Sequence, residues 1–123
     1  MQYILLIYGD ESASASIPPE EQAKGMQEWV DYTQWLKDKG WHIAGEALHP
    51  TTEATTLRFG GGEPLTTDGP FAETKEQLGG YYLVECKDLD QAIEAASKIP
   101  VRGGSVEIRP VMLFDDEGNP RMP

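Results

Sequence analysis

Asp68, Glu73, Lys75 and Glu76 stand close together in the stretch "DGPFAETKEQLGG", which runs from Asp68 to Gly80. A corner between two strands calls for glycine and proline, which accounts for Gly69, Pro70, Gly79 and Gly80, but it calls for no charge. Carboxylates and an ammonium gathered in a partly desolvated cleft would have their pKa values pushed apart, making Asp68 a base and Lys75 a cationic anchor beside Glu73. Left in solvent, the same charges would idle on a turn. Thr74 and Gln77 match the T-x-x-Q capping pattern, with room for about one helical turn before the double glycine.

Further groups could join that site. His49, just ahead of Pro50 and near the end of a strand-like run, is the candidate partner of Asp68, since an imidazole oriented by a carboxylate is a general base. His42 falls on the opposite face of a continuous strand from His49, so no two-His metal site is expected and no metal is assigned. Glu107 and Arg109 share one face by period-two spacing, with Val106 and Ile108 on the other. They form either a cross-strand ion pair or, through Arg109 and with help from Lys75, a fork for a carboxylate or phosphate on an anionic small molecule. "FGGGEP" lies between strands rather than opening a helix, so it reads as a hairpin tip, not a phosphate loop. No nucleophile elbow is present, and no cofactor is expected.

These residues need a scaffold, and the chain of 123 residues is the size of one domain with one core. Its net charge of −11 repels phosphate backbones and anionic lipid, so neither nucleic acid nor membrane is an expected partner. No apolar run is long enough to span a bilayer, and "MQYILLIYGD" lacks the features of a signal peptide; the expected location is the cytoplasm. Cys86 is the one cysteine and reads as a small buried hydrophobe.

"QYILLIY" (Gln2 to Tyr8) predicts a central strand, apolar on both faces. "GDESASAS" predicts a mobile loop, and a helix follows from Pro18 or Pro19 to Lys39, with Ala23, Met26, Trp29, Val30, Thr33 and Leu36 on one face and Gly40 just past its end. Gly25 inside it could allow a close backbone contact. "WHIAGEALHP" reads as a strand, "TTLRF" and "LTTD" as a hairpin, and "YYLVECK" as another strand. In "DLDQAIEAASKIP" Asp88 is the candidate N-cap, and Leu89, Ala92, Ile93 and Ala96 form the expected buried stripe. "SVEIRPVML" closes the domain, over residues 1–113, and 114–123 form a polar tail. The order describes a ferredoxin-like α+β fold, a βαβ-βαβ sandwich with an extra hairpin strand. Two helices cover one face of such a sheet, so the doubly apolar first strand calls for a second copy on the other: a homodimer.

"LLIYGDE", "GEALHPTTEATTLR", "TDGPFAETKEQLGGYYLVE" and "GSVEIRPV" closely resemble the YCII-related family, in its DGPF-containing branch, across nearly all of the first 113 residues. The resemblance implies a dimeric α/β barrel of ferredoxin-like protomers and a site around Asp68, Gly69, Pro70, Phe71, Glu73 and Lys75. It also implies a functional link to extracytoplasmic-function sigma factors, beside which some relatives are encoded. It implies no particular reaction. Two readings follow: a small-molecule site with acid/base chemistry on Asp68, His49 or Lys75, or a non-catalytic interaction or sensing module.

Overall fold

The computed structural model describes residues 1–14 and 16–121. Its central sheet has four antiparallel strands in the order β2-β5-β1-β6, where β1 is Gln2–Gly9, β2 His42–Ala47, β5 Gln77–Glu85 and β6 Ser105–Pro110. Helix α2 (Pro19–Lys39) joins β1 to β2, and α3 (Leu89–Ser97) joins β5 to β6. This is the ferredoxin-like α+β arrangement. The hairpin of β3 (Thr55–Arg58) and β4 (Leu65–Asp68) is inserted between β2 and β5 and pairs only with itself, so it adds no strand to the main sheet.

β1 alternates strictly. Tyr3, Leu5 and Ile7 are buried against the helices, while Ile4, Leu6 and Tyr8 on the other face are only half-buried. The core closes around Leu5, Leu36, Val84 and Cys86, each worth on the order of 1.5–3 kcal/mol where a large apolar side chain leaves water. Cys86 is buried and unpaired, as its composition suggests, and burial pushes its thiol pKa up.

Local chemistry explains the helix ends. Pro19 opens α2, where a missing N–H costs nothing, and Gly40 closes it in the left-handed region (φ 76°), with Trp41 N donating to Leu36 O. Asp88 caps α3 by accepting from Gln91 N at 2.9 Å. The buried faces match the expected ones in part, at Trp29 and Leu36 of α2 and at Ala92 and Ala96 of α3. In α2 the residues packed on the core are Trp29, Tyr32, Trp35 and Leu36, Val30 is exposed, and Met26 overhangs open space beneath the helix; in α3 they are Ala92, Ala95 and Ala96, with Leu89 and Ile93 exposed. Tyr32, outside the expected stripe, is buried because its hydroxyl finds a partner in Ala95 O at 2.7 Å. Gly25 has nothing near its Cβ position, so it makes no close approach.

Three connections also differ from expectation. The loop after β1 holds one helical turn, α1 (Glu11–Ser14), because Asp10 Oδ1 accepts from Ser12 N and Oγ at 2.9 and 2.6 Å. Ala15 of that loop lies outside the described residues. The segment from Pro70 to Glu76 makes bends, not a helical turn: Thr74 Oγ1 donates forward to Glu76 O, and Gln77 is already the first residue of β5. The polar tail folds back as a hairpin of β7 (Leu113–Phe114) and β8 (Pro120–Arg121) around Asp115, whose Oδ1 accepts from Glu117 N and Asn119 N. Its last two residues lie outside the described residues.

Candidate functional site

In an antiparallel sheet, residues that pair across strands share a face. The row Ala47–Gly80–Ile7–Val106 therefore faces the helices, as does the next row, Gly45–Tyr82–Leu5–Ile108. At the β2–β5 end the first row runs out of side chain at Gly80 and Ala47, and in the second the Tyr82 ring lies against Gly45, 2.8 Å from where a Cβ would stand. The helix cannot drop to fill the gap, because Trp29, Tyr32 and Leu36 hold it at the height of the core. The result is a cavity of about 460 Å³ between α2 and the sheet, walled by Met26, Trp29, Thr33, Ile7, Tyr82 and Val101. That volume and that apolar lining are those of a small-molecule pocket.

Gly80 is required there. A Cβ on it would lie 2.7 Å from Glu46 O and 3.3 Å from Ala47 Cα, both backbone atoms of the neighbouring strand. Of the double glycine it is therefore Gly80 that serves the close approach of two strands and leaves the cavity floor bare, and neither glycine ends a turn of helix, since both lie inside β5.

A few polar groups enter this apolar space. Thr33 Oγ1 donates its one proton to Trp29 O (2.9 Å), so in the 2.7 Å contact between Thr33 Oγ1 and Tyr82 Oη the phenol is the donor and keeps its acceptor capacity. His42 is half-buried and meets the Tyr82 ring edge-on, with centroids 6.3 Å apart. Asp10 and Glu11 stand at the end of β1, and Ser12 holds the Asp10 carboxylate below its ordinary pKa by hydrogen bonding. Glu46, Tyr8 and Tyr81 also line the cavity, but alternation sends their side chains to the other face, so they present backbone.

The DGPF segment lies beside this cavity. Gly69 (φ 99°) turns the chain out of β4, with its N–H donating to Ala54 O at 2.7 Å and its carbonyl accepting from Thr56 Oγ1 at 2.7 Å. Gly69, Pro70 and Glu73 line a second cavity of about 290 Å³ together with Thr51, Thr74 and Gln77. Phe71 is exposed, and its carbonyl accepts from Arg58. Asp68 pairs with Thr55 at the end of β4, exposed; Lys75 is also exposed, and neither lines a cavity. Glu76 accepts from Ser105 Oγ at 2.8 Å.

The remaining sequence candidates lie elsewhere. His49 sits 3.0 Å from Glu53, with the two side chains 84% and 61% exposed, so its carboxylate partner is Glu53 and not Asp68. Arg109 pairs with Glu107 at 3.2 Å on the sheet face away from the helices. No group of three or more His, Cys, Asp or Glu placed to hold a metal occurs among the described residues.

Gln77 joins the two cavities. It lines both, its Oε1 accepts from Glu11 N at 3.0 Å, and its Nε2 donates to Thr74 O. Gln77, Glu11, His42, Tyr82, Thr33 and Trp29 are not singled out by the sequence as site residues because only the strand register and the packing of α2 on the sheet bring them together; the double glycine is the one visible signal.

Fold and site together define a ferredoxin-like α+β domain with an apolar cavity between its long helix and its sheet, and with an inserted hairpin that ends in a glycine-proline corner. The chain belongs to the YCII-related domain family, whose model matches residues 1–115. It is also similar to an uncharacterized protein of Rhizobium meliloti (strain 1021), 40% identical over 117 residues that make up 93% of this chain and 94% of the relative. No helix among the described residues is long and apolar enough to cross a membrane.

Proposed function

We propose that the protein binds a small molecule in the cavity between α2 and the sheet, and that the DGPF segment acts as the brace of that site. The observation that carries this reading is the pairing of a bare glycine floor at Gly80 with an apolar, aromatic wall holding a few oriented polar groups. The acid/base chemistry available there belongs to His42 and the Tyr82 hydroxyl, not to the exposed His49 and Asp68. The brace works through Gln77 and Glu11: the corner at Gly69 and Pro70 sets where β5 begins, and β5 begins with Gln77.

The same sheet supports a homodimer. Ile4, Leu6, Tyr8, Tyr81 and Leu83 form an apolar stripe on the helix-free face, flanked by Glu46 on one edge strand and by Glu107 and Arg109 on the other. A second copy, related by a two-fold axis, would cover the stripe and set these flanking charges against one another. The second functional reading, an interaction or sensing module tied to sigma-factor regulation, draws on the net charge of −11 and on Leu57, Leu65 and Phe71, exposed at the hairpin and corner.

A thermal-shift screen of wild type and Ala47→Phe against a metabolite library separates the two. Ala47 shares the helix-facing row with Gly80, so phenylalanine there enters the cavity. A ligand at about 100 times its Kd should add about 2.7 kcal/mol to wild-type stability and nothing to the variant. Hits that stabilise both proteins equally would refute the cavity as the site.

A further inference from the structure

We infer that the ligand of the main cavity is an aromatic amine: a flat apolar ring carrying a protonated nitrogen. This rests on the cavity being the ligand site, as proposed above. The wall supplies the ring's surroundings, with Trp29 and Tyr82 as aromatic faces and Met26, Ile7 and Val101 as aliphatic ones. The polar groups supply the rest, and nearly all of them accept. Tyr82 Oη spends its proton on Thr33, which leaves it only acceptor capacity for a ligand. Asp10 and Glu11 bring carboxylates to the end of β1, and the Glu11 oxygens accept from Thr51 N and Oγ1 at 2.9 and 2.8 Å. No lysine or arginine lines the cavity; its one basic side chain is His42.

An anionic ligand would meet the Asp10 carboxylate at the mouth and no lysine or arginine in a chain of net charge −11, whereas a ligand that donates hydrogen bonds and carries positive charge finds acceptors in Tyr82 Oη and Asp10. Trp29 adds a ring face to which a cation is drawn. The anion-binding groups expected from the sequence, Lys75 and Arg109, line neither cavity.

The test is calorimetric titration of the full chain with three indoles sharing one ring: tryptamine, 3-methylindole and indole-3-acetate. Tryptamine should bind about tenfold or more tightly than indole-3-acetate at low ionic strength, and the gap should shrink as salt screens the rim carboxylates. Asp10→Asn should weaken tryptamine several-fold and leave 3-methylindole unchanged, and Ala47→Phe should abolish binding of both. Equal binding of tryptamine and 3-methylindole, or tighter binding of indole-3-acetate, overturns the amine assignment while leaving the cavity as a ring-binding site. Binding that survives Ala47→Phe, or no binding by any of the three, overturns the cavity reading and the amine assignment with it.

Discussion

Glu11 and Thr51, forty residues apart, are joined by two hydrogen bonds: the Glu11 carboxylate accepts from Thr51 N at 2.9 Å and from Thr51 Oγ1 at 2.8 Å. The contact ties the loop after β1 to the turn that precedes the inserted hairpin. Glu11 N also donates to Gln77 Oε1, so one residue fastens three segments at the cavity mouth.

Thr51→Val keeps the backbone bond and removes the hydroxyl one. Its loss should cost about 1 kcal/mol, as for a hydrogen bond to a charged group that is only partly buried. Glu11→Ala removes both bonds and should cost more, and in a double-mutant cycle the two changes should be non-additive by about 0.5 kcal/mol or more. Urea denaturation of the four proteins measures this; strict additivity would mean that the hydroxyl–carboxylate bond carries no energy.

Tyr32 should give the protein an alkaline limit. It is buried, its hydroxyl donates to Ala95 O at 2.7 Å, and burial first, then the neighbouring Tyr82 and Cys86, raise its pKa above the ordinary tyrosine value. A raised folded pKa means the native state keeps its proton where the unfolded chain, at about pH 10, gives it up. The stability this provides is complete below pH 10 and is lost as pH rises beyond it. Tyr32→Phe should be less stable than wild type at pH 7, by about 1–2 kcal/mol for the lost bond, and should fall off less steeply above pH 10. Parallel alkaline slopes for the two proteins would assign the limit to other groups.

Gly79 and Gly80 are neighbours in sequence with opposite requirements. A Cβ on Gly79 meets only Ile7 O at 3.9 Å, ordinary contact, while on Gly80 it meets Glu46 O at 2.7 Å. Gly79→Ala should therefore change stability by less than about 1 kcal/mol, and Gly80→Ala should cost several-fold more by forcing β2 from β5. Equal melting temperatures for the two variants would show that the strands part freely at this point.

The order of elements was legible because each is punctuated: Pro19 and Gly40 bound α2, Asp88 caps α3, and the alternation of β1 survives a change of face. Which face each helix buries was less legible. Val30 is as apolar as Leu36 yet exposed, and helix spacing alone cannot say that Tyr32 will bury its hydroxyl against Ala95. Of the cavity only the double glycine was legible, because a cavity consists of missing side chains. Gly45, Ala47 and Gly80 are scattered along the sequence and become one floor only once β2, β5 and β1 are in register. The DGPF corner had the reverse fault: its charges are conspicuous in sequence, but Asp68 and Lys75 point to solvent, and what is structurally committed there is backbone.

That contrast sets the last prediction. Gly69 holds φ 99°, a conformation that side chains strain, and both its N–H and its carbonyl are hydrogen-bonded to the stretch from Ala54 to Thr56. Gly69→Ala should cost about 1 kcal/mol or more and shift the start of β5, so it should also weaken ligand binding through Gln77 without touching the cavity wall. Asp68→Asn and Lys75→Met replace exposed groups that line neither cavity, and each should change stability by less than about 0.5 kcal/mol. Neither should alter tryptamine affinity beyond the small change expected from removing one screened charge. Melting temperature and affinity measured on the same three variants decide the matter. If Asp68→Asn or Lys75→Met kept full stability and lost binding, the charges of the corner would belong to a site and the brace reading would fail; if only Gly69→Ala suffers, the motif's glycine and proline are its working parts.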